Sequence, residues 1–269
     1  GYFMLVYLFL LMSAAFAALL CFGFSFLSPW WLVPLFLGAF LLLNVLYLLY
    51  LLLTSYLFGF DHPYEKDNRY CRFMTHLTLD WLLHLFRIRT HVTGMEILPE
   101  EPFVLVGNHR SDFDPIITFR LLKHRKTAFI SKKENMRIPI AGRYIYQIGF
   151  LPLDRDNPLR AMRTIKEGAR LVREENMIMG IYPEGTRSKT EEMLPFKEGA
   201  FLLAKKAEAP IVVMALRGTG DIARNIPLRS TKVSGAFLRV IPKETVASAS
   251  IEELSAMARE TLTAYLQTP

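Results

Sequence analysis

The pattern of apolar and polar positions divides this chain of 269 residues into two unequal parts. Residues 3–27 and 32–58 are uncharged runs of 25 and 27 residues. A helix of about 20 apolar residues crosses a bilayer core, so each run is long enough. Ser28-Pro29-Trp30-Trp31, with Pro34 soon after, separates them. Proline interrupts helices and tryptophan favours the membrane interface. The pattern therefore predicts two helices forming a hydrophobic hairpin over residues 1–60. A cleavable signal peptide is disfavoured: the first run is too long, has no positive n-region and leads directly into another run. The hairpin could span the bilayer or dip into one leaflet. Either way both its ends lie on the same side.

The pattern then changes. Residues 68–86 read as an amphipathic helix, with Phe73, Leu77, Trp81, Leu82 and Phe86 near helical spacing. Short apolar runs at 88–93, 103–107, 127–131, 149–153, 177–182, 211–216 and 236–241 read as strands. Stretches at 115–123, 140–147, 157–174, 196–207 and 251–266 read as helices. Strands alternating with helices imply an α/β layered domain whose strand ends carry the chemistry. No internal repeat or low-complexity linker interrupts it. Gly59, Asp61 and Pro63 mark the one plausible boundary, giving a hairpin at 1–60 and an α/β domain at 61–269.

Charge sharpens this division. The chain is 52% hydrophobic, too apolar overall for an ordinary soluble domain. Residues 1–65 hold no Lys or Arg, and their only acids are Asp61 and Glu65. The remaining segment carries 32 bases against 23 acids, a formal charge of +9. A basic domain beside an apolar anchor suits anionic partners such as lipid headgroups or a phosphate-bearing carrier. Lys66, Arg69 and Arg72 follow the second run, which places the large domain on the cytoplasmic face of the cell membrane. Cys21 and Cys71 are the only cysteines; they form no disulfide framework and no metal-type spacing.

Two stretches carry candidate chemistry. In the first, an apolar strand runs from Phe103 into Gly107, Asn108 and His109, then to Asp114-Pro115 and a helix. In one continuous helix His109 and Asp114 would stand roughly 140° apart in azimuth. Across a strand-to-helix turn they can meet. A carboxylate then fixes the imidazole tautomer and stabilises its cation, leaving the other nitrogen to remove a proton from an alcohol. The alternative is that Asp114 caps the helix, with Pro115 at its first position. Ser111 as a covalent nucleophile is a competing route, but no Gly-x-Ser-x-Gly elbow surrounds it. The second stretch is Ile181-Tyr-Pro-Glu-Gly-Thr-Arg-Ser188. Glu184 can bind hydroxyls or backbone amides, Gly185 permits close backbone approach, and Arg187 offers a fork for phosphate oxygens. Asp154-Arg155 adds a cation at a strand end, and Ala209–Leu216 reads as core strand or acyl-contact surface.

Asn-His-(four residues)-Asp, then Asp-Arg, then Pro-Glu-Gly-Thr-Arg-Ser, then Pro-Ile-Val-Val, in this order, resembles the glycerolipid acyltransferase family, and within it the 1-acyl-glycerol-3-phosphate acyltransferases. The resemblance covers residues 66–245. It implies a glycerol-3-phosphate acyltransferase-like fold, a mixed sheet flanked by helices and preceded by the hairpin. It also implies that His109 is the catalytic base and Asp114 its partner. Arg155, Glu184, Gly185, Thr186 and Arg187 would lie at the acceptor phosphate. The implied reaction moves an acyl group from acyl-CoA or acyl carrier protein to lysophosphatidic acid in the membrane. It uses no metal and no cofactor beyond the acyl donor. Tyr182 stands where Phe is common in the family and Met214 where Pro is common.

His62, His76, His84, His91 and His124 lack metal-ligand spacing and read as structural or exposed. Nucleic acid is not an expected partner, because no aromatic-basic motif or recognition helix accompanies the charge. Two other readings stand beside the first: an acyltransferase for another acceptor, and a lipid-binding protein without activity.

Overall fold

The computed structural model describes residues 4–23, 27–59, 67–190 and 192–268. Helix α1 (Met4–Ala18) continues through one π-type turn to Gly23, and α2 (Leu32–Ser55) follows a short 3₁₀ turn at Pro29–Trp31. Two segments, Leu5–Gly23 and Pro29–Ser55, are long and apolar enough to cross a membrane. The expected join at 59–68, with His62 and Lys66, falls mostly on residues 60–66, outside the described residues.

The rest of the chain runs α3 (Arg69–Leu85), β1 (Ile88–Thr93), β2 (Val104–Gly107), α4 (Phe113–Leu121), β3 (Thr127–Lys132), α5 (Ala141–Tyr146), β4 (Leu151–Leu153), α6 (Pro158–Glu175), β5 (Ile178–Ile181), α7 (Gly199–Ala207), β6 (Ile211–Arg217), α8 (Ile222–Asn225), β7 (Thr231–Ile241), α9 (Lys243–Ser248) and α10 (Ile251–Gln267). The strands form one mixed sheet in the order β1-β7-β6-β2-β5-β3-β4. Neighbours are parallel except β6 and β7. Strands β2 to β6 thus end on one common edge, the usual place for loops that bind and react in α/β sheets. Helices α3, α4 and α5 pack together against one face of the sheet; α6, α7 and α10 cover the other. The central strands are buried on both faces, which explains their continuous apolar runs.

β7 is five residues longer than its apolar run suggests. Its first half, Thr231-Lys-Val-Ser, alternates buried and exposed positions against β1 and β6, so it carries no continuous apolar signal. The face of α3 also differs from expectation. Of Phe73, Leu77, Trp81, Leu82 and Phe86, only Trp81 is buried, and Phe73 is exposed. The helix is held between the hairpin and the sheet, so it buries Cys71, Met74, His76 and Asp80 as well. Asp80 pairs with Arg120 of α4. Arg72, expected as a membrane-flanking charge, pairs with Asp67 and donates to the Thr127 and Ile148 carbonyls at 3.0 Å each, tying α3 to the sheet.

The hairpin docks on α3 through polar contacts inside an apolar seam. Trp81 Nε1 donates to Asn44 Oδ1 at 2.9 Å, and the Tyr47 and Thr78 hydroxyls are 2.8 Å apart. Farther along, Tyr50 meets Tyr70 and Thr54 meets Tyr144. Helix α2 therefore runs antiparallel to α3. From Asn44 back to Trp31 the helix extends about 20 Å, whereas α3 continues only about 6 Å past Trp81, at 1.5 Å per residue. The hairpin tip, with Trp30 at 90% exposure, projects roughly 14 Å beyond the C-terminal end of α3.

His76 stacks on Phe119 with centroids 4.4 Å apart, and neither ring nitrogen has a hydrogen-bond partner. Burial, aided by Arg72, pushes its pKa down from 6.5 to about 4. The unfolded chain protonates this imidazole below 6.5, whereas the folded chain resists until about 4. Stability is therefore lost as pH falls between those values, by up to about 3 kcal/mol. Thermal unfolding in detergent between pH 7 and pH 4 should show a fall that His76→Phe reduces. An identical pH profile for the variant would exclude this residue as the cause.

Candidate active site

Strand β2 delivers Asn108 and His109 to the common edge. Gly107 is needed there, because a Cβ would come within 2.7 Å of the Met214 carbonyl oxygen on β6. Asn108 is buried and bonds the backbone of Leu216 twice: Nδ2 donates to its carbonyl and Oδ1 accepts its N–H, both at 2.9 Å. The side chain acts as one more rung of the β2–β6 ladder and fixes where the next residue points.

That residue is His109. Its Nδ1 lies 2.9 Å from Asp114 Oδ2. The same oxygen accepts the Arg110 and Ser111 N–H groups at 2.7 Å each. Asp114 has no exposed surface. Paired this way, Nδ1 carries the hydrogen and Nε2 is left as the basic nitrogen. Helix α4 begins at Phe113, so Asp114 does not cap it, and Asp112 stands at the cap position without a side-chain bond to the helix amides. The Ser111 hydroxyl is buried and accepts the Phe113 N–H at 3.2 Å.

The loop after β5 encloses His109 from the other side. Glu184 is 2% exposed; its Oε1 accepts the His109 N–H at 2.7 Å and its Oε2 accepts the Leu194 N–H at 2.8 Å. Burial pushes its pKa up, opposed by those two amide donors. The Ser188 N–H donates to the His109 carbonyl at 2.8 Å. Both polar groups of the His109 backbone are thus held by this loop. Gly185 has φ +70°, and a Cβ there would approach Lys197 at 3.0 Å. Tyr182 stacks on the imidazole with centroids 4.4 Å apart and planes 13° from parallel.

The remaining predicted residues divide. Thr186 and Arg187 are exposed at the rim. Arg187 Nη1 lies 2.5 Å from Asp112 Oδ2, so its guanidinium is held above the His109 turn. Arg155 is exposed past the end of β4, three strands from β2, or about 14 Å at ordinary strand spacing. The structure therefore gathers His109, Asp114, Glu184, Gly185, Thr186 and Arg187, but not Arg155. A cavity of about 200 Å³ opens beside them, lined by Asn108, Arg110, Glu184, Ser188 and Arg217 among others. Among the described residues no group of three or more His, Cys, Asp or Glu could hold a metal ion.

Residues 89–217, which include every one of these groups, match the family described as Acyltransferase. Over this segment the chain is similar to the acyltransferase family. The chain is 30% identical over 181 residues to mouse 1-acyl-sn-glycerol-3-phosphate acyltransferase alpha, covering 66% of this chain and 63% of that protein. It is 40% identical over 126 residues to the 1-acyl-sn-glycerol-3-phosphate acyltransferase of Cocos nucifera, covering 47% and 41%. Each match spans less than two thirds of the relative's own length. The fold matches the crystal structure of the 1-acyl-sn-glycerophosphate (LPA) acyltransferase of Thermotoga maritima with a TM-score of 0.63 at 24% identity, over 82% of this chain and 88% of that one.

Some contributors had no distinct sequence signal. Asn108 precedes His109 in the motif, yet its partner is 108 residues away. Tyr182 drew notice only as a departure from Phe, and Asp112 not at all. Glu184→Gln replaces two acceptor oxygens with one, leaving the His109 or Leu194 N–H unpaired at a cost of about 1–3 kcal/mol. The expected result is a lower unfolding midpoint; a variant melting with the parent would show that the second oxygen is dispensable.

Proposed function

We propose that this acyltransferase moves a fatty acyl group from a thioester donor, acyl-CoA or acyl carrier protein, to the sn-2 hydroxyl of lysophosphatidic acid, giving phosphatidic acid. The observation that carries this reading is the His109 imidazole, bonded through Nδ1 to a fully buried carboxylate. Nε2 takes the proton of the acceptor hydroxyl as its oxygen attacks the thioester carbonyl. The new C–O bond forms, and the tetrahedral intermediate collapses with loss of the C–S bond. The imidazolium returns its proton to the departing thiolate. Asp114 stabilises that cation and holds the tautomer. No redox step occurs, and the acyl donor is the only co-substrate required.

Arg187 is the cation best placed for the acceptor phosphate. Its pairing with exposed Asp112 keeps it extended beside His109 until a phosphate competes for it. A phosphate presents fork-matching oxygens that favour Arg over a point-charge partner. The relatives named above act on 1-acyl-sn-glycerol-3-phosphate by name, which supports the same acceptor here.

The hairpin supports membrane attachment with the basic domain on the cytoplasmic face. Its tip passes the C-terminal end of α3 by roughly 14 Å, about half a 30 Å hydrocarbon core. Insertion into one leaflet is the reading that brings the edge to the headgroups, where a lipid hydroxyl lies.

His109→Ala should lower turnover by about 10²–10⁴ at unchanged fold, measured as phosphatidic acid formed from labelled donor. Near-parental turnover would remove His109 from the mechanism. Arg187→Ala should raise KM for lysophosphatidic acid more than it lowers kcat. If monoacylglycerol, which lacks the phosphate, suffers the same KM change, the phosphate assignment is wrong.

A further inference from the structure

A hairpin fixed to one face of the sheet leaves the domain free to tilt about it. The other face carries a feature suited to stop that tilt. β4 ends on the same edge as β2 and β5, and the chain then turns at 154–157 and descends as α6. At the top of α6, Leu159 is 76% exposed and Met162 is 38% exposed. Scattered exposed apolar residues are ordinary. These two are not scattered, because cations surround them. Arg155 and Arg160 flank the turn, and Arg163 and Lys166 follow on the same helix face as Leu159, all exposed. Arg160 touches Asp154 only at 3.4 Å, with its side chain 69% exposed. Arg155, Arg163 and Lys166 make no ion pair among the described residues.

The order of these residues along the helix axis matters. Arg155 and Asp156 stand in the turn ahead of Leu159, Arg160 lies between Leu159 and Met162, and Arg163 and Lys166 trail away from the reactive edge. Leu159 to Lys166 spans about 10 Å of axis. The polar layer on each side of a bilayer is about 5–8 Å thick. With Leu159 and Met162 at the acyl boundary, Arg160 and Arg163, within about 6 Å of axis from Leu159, fall in that polar layer, and Lys166 at its outer margin. Basic residues near an anionic surface each contribute attraction there.

We propose that the start of α6 is a second membrane-contact surface that seats on anionic lipid headgroups. With the hairpin on the opposite face of the sheet, it holds the reactive edge level with the bilayer. The inference rests on the membrane attachment proposed above. An acidic carrier protein would also meet these cations, but it gives no reason for an exposed Leu and Met among them.

The test uses the full chain reconstituted in vesicles of phosphatidylglycerol or of phosphatidylcholine. An environment-sensitive dye is placed on Leu159→Cys, on Leu37→Cys in the hairpin, or on Glu244→Cys at the opposite edge; Cys21 and Cys71 are buried. The expected result is a dye at 159 that is shielded from water in phosphatidylglycerol and more exposed in phosphatidylcholine. Arg160→Glu with Arg163→Glu should reverse the shielding, by about fivefold in the seated fraction for each cation lost. A dye at 159 as wet as that at 244, beside a lipid-buried dye at 37, overturns the second contact and keeps the anchor. A wet dye at 37 overturns both. Shielding at 159 that requires added acyl carrier protein makes the surface a carrier-docking site and overturns the lipid assignment.

Discussion

Burying a carboxylate without donors costs several kcal/mol, so a fully buried Asp must find hydrogen bonds close at hand. Asp114 finds three, all on one oxygen: the His109 ring and the N–H groups of Arg110 and Ser111. The two amides fold the chain between β2 and α4 into a turn tight enough to bring residues five apart into contact. Without that turn the imidazole has no orienting partner, and the helix behind it has no fixed start. The orientation of the imidazole and the local backbone are consequences of the same charge.

Glu184 repeats this device over a longer range. Its two oxygens join the turn after β2 to the loop after β5, and one of them accepts from the backbone of His109 itself. The Ser188 amide closes the other side of the same residue. Two loops that are far apart in sequence therefore hold each other, and neither has its observed shape alone. The rim residues Thr186 and Arg187 inherit their positions from this joint rather than from any packing of their own.

Much of this was legible in the chain because it is written locally. The alternation of apolar runs located all seven strands, and the short spacing of His109 and Asp114 required a turn. What failed to show was tertiary. Glu184 reads equally as a binder of hydroxyls or of backbone amides until its donors are seen to be the amides of His109 and Leu194. Arg187 reads as a free cation until Asp112 meets it. Arg155 shares a pattern with the other blocks, yet sheet order sets it three strands away. The face of α3 was misread for a related reason: a helix covered on two sides has no single apolar stripe to find.

The stacking of Tyr182 on His109 limits the directions from which chemistry can arrive. One face of the imidazole is covered by a parallel ring, and its Nδ1 edge is covered by a carboxylate. Only the in-plane approach to Nε2 and the uncovered face remain. In the proposed reaction an acceptor hydroxyl enters along that quadrant, with the thioester on the far side of the hydroxyl. The order of the three partners in space is then set by the ring beneath His109, before any substrate has bound.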